Sequence, residues 1–132
     1  MTDHIPRGFQ ALTPYLSIEG ADAFITFAHD ALGATQRAIH RADGRIMHAE
    51  LELHDCIIEL SERPPGSSAT CARFHVFVRD PDAAYARAME HGATSLYAVQ
   101  DHDYGERSGG VSDAWGNQWY FAAVIDHARR EG

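Results

Sequence analysis

The chain contains one pattern twice, and this internal repeat limits its possible folds more than any other feature. Residues 15–35, YLSIEGADAFITFAHDALGAT, match residues 75–94, HVFVRDPDAAYARAMEHGAT. Each copy begins with alternating apolar positions, and Gly33-Ala34-Thr35 returns as Gly92-Ala93-Thr94. Each copy therefore predicts a short strand, an acidic turn and a helix, and Gly92 suits a left-handed position after the second helix.

Strand patterns follow both helices. ATQRAIHR and RIMHAELEL are separated by Ala42-Asp43-Gly44, which is a hairpin signal, and CIIELSE comes next. In the second half, strands are predicted near residues 93–99, 107–112 and 118–124, with a loop, QDHDYGERSGG, after the first of them. Both halves thus predict the order β-α-β-β-β.

Residues 63–72, RPPGSSATCA, separate the halves, and their prolines and small polar residues indicate a connector. We expect a single domain over residues 1–132, built of modules at about 11–62 and 73–125. With one helix and three consecutive strands after it in each module, the fold class is α+β.

Composition narrows the class of protein. The 132 residues are 45% apolar and 23% charged, which is typical of a globular protein. Nineteen acids against 11 bases give a net charge of −8, so nucleic acid is not an expected partner. No apolar run is long enough to span a membrane, and MTDHIPRGFQ lacks the hydrophobic block of a secretory signal. With only Cys56 and Cys71, a cytoplasmic protein with free thiols is expected.

The repeat resembles that of the glyoxalase/bleomycin-resistance/extradiol-dioxygenase superfamily, also called vicinal oxygen chelate proteins, over about residues 11–125. The strings TPYL, GRIMHAELEL, DPDAAYARAMEHGAT and YGERSGGVSDAWGNQW are similar to its PhnB-like branch. This resemblance implies two cup-shaped mixed sheets of four strands, with the helices packed outside, and it implies a homodimer.

Alternation along the strands predicts which side chains face the cups and which pack on the helices. On the helix side we expect Leu16, Ile18, Met47, Ala49, Leu51, Leu53, Ile58, Leu60, Val76, Val78, Trp119 and Phe121. Facing the cups we expect Tyr15, Ser17, His48, Glu50, Glu52, Ile57, Glu59, Ser61, Arg73, His75, Phe77, Gln118, Tyr120 and Ala122.

Enzymes of the superfamily bind a divalent metal ion through four side chains, and the resemblance carries those positions onto Thr13, Glu59, Arg73 and Tyr120. Only Glu59 is an ordinary metal ligand, and the guanidinium of Arg73 is a permanent cation that repels a metal ion. We therefore expect no metal at these positions and no cofactor.

A metal site elsewhere in the cups stays open. His48 and His75 face inward by parity, and Glu50, Glu52 or Glu59 could join them, although a histidine beside a carboxylate is commonly only its hydrogen-bond partner. Glu50 and Glu52 also fit a solvated sheet face, and Glu59 and Arg73 fit a simple ion pair.

The rings, acids and imidazoles of the cups suit a planar or partly cationic small molecule. The resemblance implies metal-independent binding, of the kind that sequesters antibiotics such as bleomycin. The candidate ligand-binding residues are Tyr15, His48, Glu50, Glu59, Arg73, His75, Tyr104, Arg107, Trp115 and Tyr120.

Catalytic residues cannot be assigned from the sequence. One alternative function is a metal-dependent lyase, isomerase or dioxygenase with a relocated metal site. Another is a metal-free enzyme that uses Glu59 or His75 as a base.

Two segments of the second half leave alternatives open. In HDYGERSGG, which is expected to close over one end of a cup, Arg107 could bind an anion through its two nitrogens or cap the turn. In SDAWGNQWYF, Trp119 and Phe121 are expected in the core, whereas Trp115 could form a dimer contact, line the rim of a pocket or be exposed. Asn117 stands where the PhnB-like branch often has histidine.

Overall fold

The computed structural model describes residues 4–132, and the chain divides into two compact units at Thr70 and Cys71. The first unit contains β1 (Tyr15–Ile18), α1 (Ala21–Leu32), β2 (Thr35–Ala42), β3 (Arg45–Leu53) and β4 (Cys56–Glu62). The second contains β5 (Arg73–Phe77), α2 (Pro81–Glu90), β6 (Thr94–His102), β7 (Glu106–Ser112), β8 (Gln118–Val124) and α3 (His127–Glu131).

Each unit has one mixed sheet of four strands, in the order β1-β4-β3-β2 and β5-β8-β7-β6. The first strand of each unit pairs in parallel with the last, and the other pairs are antiparallel. This confirms the α+β class and the two β-α-β-β-β modules. α3 is an addition that the sequence pattern did not indicate.

The registers of the two sheets are equivalent. Tyr15 pairs with Glu59 in the first unit, and His75 pairs with Tyr120 in the second. On the antiparallel side of the last strand, Glu59 lies opposite Glu50 and Tyr120 lies opposite Gly110. The repeat seen in the sequence is therefore also a repeat of strand pairing.

Both long helices begin and end at residues suited to those positions. The carboxylate of Glu62 accepts hydrogen bonds of 2.9 Å from the backbone N–H groups of Gly20 and Ala21, at the start of α1. The side chain of Asp80 caps α2 by accepting from Ala83 N at 3.1 Å. Gly92 follows α2 with φ 99°, as predicted.

The helices cover one face of each sheet, and the opposite face is called the cup face below. α1 packs on β2, β3 and β4, and α2 packs on β6, β7 and β8. Leu51, Leu60, Trp119 and Phe121 are buried on the helix side, as alternation predicted. Partly buried Phe74 stacks on Trp119 of the core, with ring centroids 4.4 Å apart.

Two expectations about strands were wrong. Met47 is 56% exposed and Ile46 is 1% exposed, because a β-bulge between His40 and Arg41 shifts the alternation of β3 by one residue. The predicted loop over residues 100–110 is only a short turn at 103–105, since β6 continues to His102 and β7 begins at Glu106.

Among the described residues, no helix is long and apolar enough to cross a membrane.

The turn before β8 is organised by one buried carboxylate. Asp113 is 6% exposed, and it accepts hydrogen bonds of 2.9 Å from the backbone N–H groups of Trp115 and Asn117 and from the indole Nε1 of Trp119. The side chain of Asn117 accepts from Ala72 N at 3.0 Å, which ties this turn to the residue before β5. Asp113 and Asn117 of SDAWGNQWYF therefore have structural roles in this turn.

We expect Asp113→Ala to lower the free energy of unfolding by about 2–4 kcal/mol, because it leaves buried N–H donors without an acceptor. Asp103→Ala is the matched control: Asp103 is exposed in a turn of the same unit, and its replacement should change stability by less than about 0.5 kcal/mol. Urea unfolding of the three proteins measures both values. Equal losses in the two variants would contradict the role assigned to Asp113.

Candidate functional site

The second unit has a cavity of about 340 Å³ on its cup face. This volume lies within the usual range for sites that bind small molecules. The cavity is lined by Arg73, His75, Tyr97, Tyr104, Ser108 and Tyr120.

Two tyrosine rings form one wall of this cavity. Tyr97 and Tyr120 have ring centroids 6.2 Å apart and an interplanar angle of 22°. Gly110 lies beneath them, and a Cβ at that position would come within 2.7 Å of Tyr97 and 2.9 Å of Tyr120. The absence of a side chain at Gly110 is therefore what allows both rings to lie against β7.

Hydrogen bonds restrict both phenol groups. The hydroxyl of Tyr97 lies 3.0 Å from Oγ of Ser108, and the hydroxyl of Tyr120 donates to Oε1 of Gln118. Both hydroxyls are consequently held by neighbouring side chains and do not rotate freely.

A buried carboxylate supports the imidazole in the cavity lining. The side chain of Glu106 is 2% exposed, and its Oε2 accepts from Nε of Arg130 on α3. Its Oε1 lies 3.2 Å from Nε2 of His75, which is 43% exposed. That approach does not have hydrogen-bonding geometry, so Oε1 lacks a hydrogen-bond partner within residues 4–132. Glu106 therefore contacts His75 without a hydrogen bond between them.

Arg73 supplies a positive charge to the same lining. Its side chain is exposed, and it makes no hydrogen bond or ion pair with any described residue of the second unit. A guanidinium in this condition can donate to an oxyanion of a ligand or stack on a planar group.

The first unit presents a different set of side chains on its cup face. Nε2 of His48 lies 3.1 Å from Oε2 of Glu50 and 3.4 Å from Oε1 of Glu59. One ligand atom from each residue lies within 4.8 Å of the other two. All three side chains are 20–29% exposed, so they are partly buried and still reachable from solvent.

Three neighbours border this group of His48, Glu50 and Glu59, and one of them is His40, whose ring centroid lies 6.2 Å from that of His48. The ring of Tyr15 is tilted against that of His48 with centroids 6.0 Å apart. Nε of Arg37 lies 3.7 Å from Oε1 of Glu50, and the same guanidinium donates to the backbone oxygen of Arg7. Tyr15, His48, Glu50 and Glu59 are thus brought together in the first unit.

Arg107 does not belong to the cavity, contrary to the sequence-based expectation. Its guanidinium makes two hydrogen bonds of 2.8 Å to Asp82 at the start of α2 and one of 2.9 Å to Asp101. Odd and even positions of β7 face opposite sides, so Arg107 lies on the helix face while Glu106 and Ser108 lie on the cup face. These hydrogen bonds lower the pKa of Asp82 and raise the pKa of Arg107.

Three other predicted positions belong neither to the cavity lining of the second unit nor to the group of His48, Glu50 and Glu59. Trp115 is half-buried in the turn before β8 and does not line the cavity. Thr13 precedes β1, and its hydroxyl donates to the backbone oxygen of Gln10 at 3.0 Å. Glu52 is exposed at the end of β3, as expected for a solvated acid. The ion pair of Glu59 with Arg73 stays a prediction.

Sequence reasoning missed Tyr97, Ser108 and Glu106 as site residues. The strand near 93–99 was recognised, but its inward face was not assigned. Glu106 fell within the predicted loop, and Ser108 fell where that loop overlaps the strand predicted near 107–112, whose faces were not assigned. The signal that could have revealed them is the alternation of β7 once its start is set at residue 106.

Comparison with known proteins places the chain in a family. Residues 12–121 match the family model of the Glyoxalase/Bleomycin resistance protein/Dioxygenase superfamily, and the chain belongs to that superfamily. An uncharacterized protein of Mycobacterium bovis is 30% identical over 121 residues, covering 83% of this chain and 80% of its own. An uncharacterized protein of Mycobacterium tuberculosis has the same identity and covers 71% of its own length.

Solved structures share the fold. TioX from Micromonospora sp. ML1 matches with a TM-score of 0.71 and 23% identity, over 89% of this chain and 98% of its own. A gene product of Arabidopsis thaliana matches with a TM-score of 0.70 and 24% identity, over 86% and 98% of the two chains. A superfamily member from Sphaerobacter thermophilus has a TM-score of 0.67 at 16% identity, over 86% and 98%. Membership of the PhnB-like branch stays a prediction.

We expect Arg107→Gln to lower the free energy of unfolding at pH 7 and to leave binding of small molecules in the cavity unchanged. The pair stabilises the fold above the usual pKa range of aspartate, and this contribution is lost as the pH falls through the lowered pKa of Asp82. The difference in stability from the wild type should therefore shrink below about pH 4.

Unfolding by urea between pH 7 and pH 3 measures this difference. Arg79→Gln serves as the control, because Arg79 is an exposed arginine of the same unit outside this cluster. A difference between wild type and Arg107→Gln that stays constant over this range would contradict the role of the Arg107–Asp82 pair.

Proposed function

We propose that this protein binds a small planar organic molecule in the cavity of the second unit, without a metal ion, and acts by sequestration, as in antibiotic resistance. The observation that supports this proposal is the pair of tyrosine rings, Tyr97 and Tyr120, over Gly110 at the wall of a cavity of about 340 Å³. Superfamily membership is compatible with binding proteins as well as with enzymes.

Aromatic rings provide most of the contact surface that such a ligand requires. A planar molecule against Tyr120 or Tyr104 would gain offset stacking, which contributes roughly 0.5–1.5 kcal/mol for each ring pair beyond burial of apolar area. Because strands β6, β7 and β8 position Tyr97, Ser108 and Tyr120, little ordering of the backbone would accompany binding.

The charge of the ligand follows from the groups in the cavity lining. The acids that suggested a cationic ligand, Glu50 and Glu59, lie in the first unit, where His48 is their neighbour. At the cavity, Arg73 and His75 favour an oxyanion or another acceptor on the ligand. We therefore propose a planar ligand with an acidic substituent, and a cationic aromatic ligand such as bleomycin is the competing possibility.

Fluorescence titration tests this proposal. With EDTA present, aromatic carboxylates should produce a saturable change in tryptophan fluorescence at micromolar concentration, because Trp119 neighbours Tyr120 on β8 and Phe74 on β5. A parallel titration uses bleomycin-type cations. Tighter binding of these cations than of aromatic carboxylates would show that the ligand is cationic rather than acidic. No saturable change with either class would overturn the proposal of metal-independent binding.

Two neighbouring glycines provide matched variants for locating the site. Gly110→Ala places a methyl group against Tyr97 and Tyr120 and should weaken ligand binding by at least about tenfold, the equivalent of 1.4 kcal/mol. Gly109→Ala places the same methyl group within 2.6 Å of Val99 on the helix face, so it should lower stability and leave ligand affinity within about twofold of the wild type. Similar affinities in the two variants would show that the ligand binds elsewhere.

We also propose that the protein is a homodimer. Support comes from the resemblance to the superfamily and from large exposed apolar side chains in both units, among them Met47, Phe77 and Leu96. Sedimentation velocity at micromolar concentration should give twice the mass of the chain. A monomer under these conditions would contradict the dimer without affecting the ligand-binding proposal.

A further inference from the structure

We propose that His48, Glu50 and Glu59 form a binding site for a divalent ion of the first transition series on the cup face of the first unit. This proposal goes beyond ligand binding by the second unit and does not depend on it. The resemblance would place a metal ion at four positions: Thr13, Glu59, Arg73 and Tyr120. Of these four, only Glu59 belongs to the site proposed here.

The three side chains are positioned by strand pairing rather than by a loop. Glu50 lies directly opposite Glu59 in the antiparallel pair of β3 and β4, and His48 lies two residues before Glu50 on the same face. Their ligand atoms already lie within 4.8 Å of one another. An ion could therefore be bound with small side-chain rotations and without rearrangement of the backbone.

Without a cation, the negative charges and hydrogen-bond acceptors of His48, Glu50 and Glu59 are only partly compensated. Two carboxylates directly opposite each other on neighbouring strands repel. An imidazole nitrogen carries at most one hydrogen, so Nε2 of His48 can donate to Glu50 or to Glu59, at 3.1 and 3.4 Å, but not fully to both. A divalent ion would accept a lone pair from the nitrogen and from both carboxylates.

The guanidinium of Arg37 is a positive charge beside the group of His48, Glu50 and Glu59. Its Nε remains 3.7 Å from Glu50, and its Nη2 donates to the backbone oxygen of Arg7. It therefore offsets the charge of Glu50 only partly and makes no ion pair with Glu59 within the part of the chain that the structure describes.

The second unit shows that the fold does not require acids at these positions. By strand register, Gly110 and Tyr120 correspond to Glu50 and Glu59, and Ser108 corresponds to His48. The same backbone thus accepts small and aromatic residues where the first unit has an imidazole and two carboxylates. The group is a property of the first unit and not of the sheet.

Ligand chemistry indicates the class of metal. One imidazole nitrogen and two carboxylate oxygens suit Zn²⁺, Mn²⁺, Fe²⁺ or Co²⁺. Three protein ligands leave at least one coordination position for water or a further ligand, which is the arrangement of an open metal site. The side chains are partly exposed, so an ion can reach them.

Calorimetric titration of untagged, EDTA-treated and desalted protein with Zn²⁺ and with Mn²⁺ tests the proposal. We expect one equivalent per chain to bind at least one of these ions with micromolar affinity. His48→Ala and Glu59→Gln should each weaken that binding by at least about tenfold, since each removes one of three ligands. Co²⁺ should give visible absorption bands with the wild type that are lost with His48→Ala.

Glu52→Gln is the matched control, because it removes an exposed carboxylate from the same strand, two residues beyond Glu50. Its metal affinity should stay within about twofold of the wild type. Circular dichroism confirms that every variant folds, and the metal should raise the melting temperature of the wild type but not of His48→Ala.

Two outcomes would overturn the proposal: no stoichiometric binding by the wild type, or equal affinities in wild type, His48→Ala and Glu59→Gln. The second outcome would indicate adventitious binding by other surface histidines and acids. Ligand titrations in EDTA report on the second unit alone, so the two proposals fail independently.

Discussion

The pairing of the last strand of each unit is the constraint on which the rest of the structure depends. β4 and β8 each lie between a parallel and an antiparallel neighbour, so their register decides which residues of three strands stand side by side. Strand alternation then separates a helix face, with Trp119 at 0% exposure, from a cup face with Tyr120 beside it. A shift by one residue would exchange the core and the candidate site.

The two units use this common scaffold for different chemistry. At equivalent positions beside the central strand, the first unit has Glu50 and the second has Gly110. A carboxylate there faces Glu59 and His48 and creates a negative, hydrophilic surface. A glycine there admits the rings of Tyr97 and Tyr120 and creates an aromatic wall. Differences at three equivalent positions, of which this is one, therefore separate a candidate metal site from a candidate organic-ligand site.

Two buried acids of the second unit illustrate how structural and functional polar groups differ. Asp113 accepts from two backbone N–H groups of its own turn and from the indole of Trp119 on β8, and it stabilises the entry to β8. Glu106 has Arg130 on one oxygen and only a charge contact with His75 on the other. The carboxylate with an oxygen lacking a hydrogen bond is the one beside His75, a residue of the cavity lining.

The sequence by itself determined the α+β class, the two β-α-β-β-β units and most of the inward and outward positions. Repeats, helix caps and alternation are local patterns. The single-residue bulge at Met47 made the predicted alternation at the start of β3 wrong. Only the tertiary structure decided that Arg107 bonds to Asp82 on the helix face and that Tyr97 reaches Tyr120. The same holds for the approach of His48 to Glu50 and Glu59, because these contacts depend on strand register and side-chain direction between residues distant in sequence.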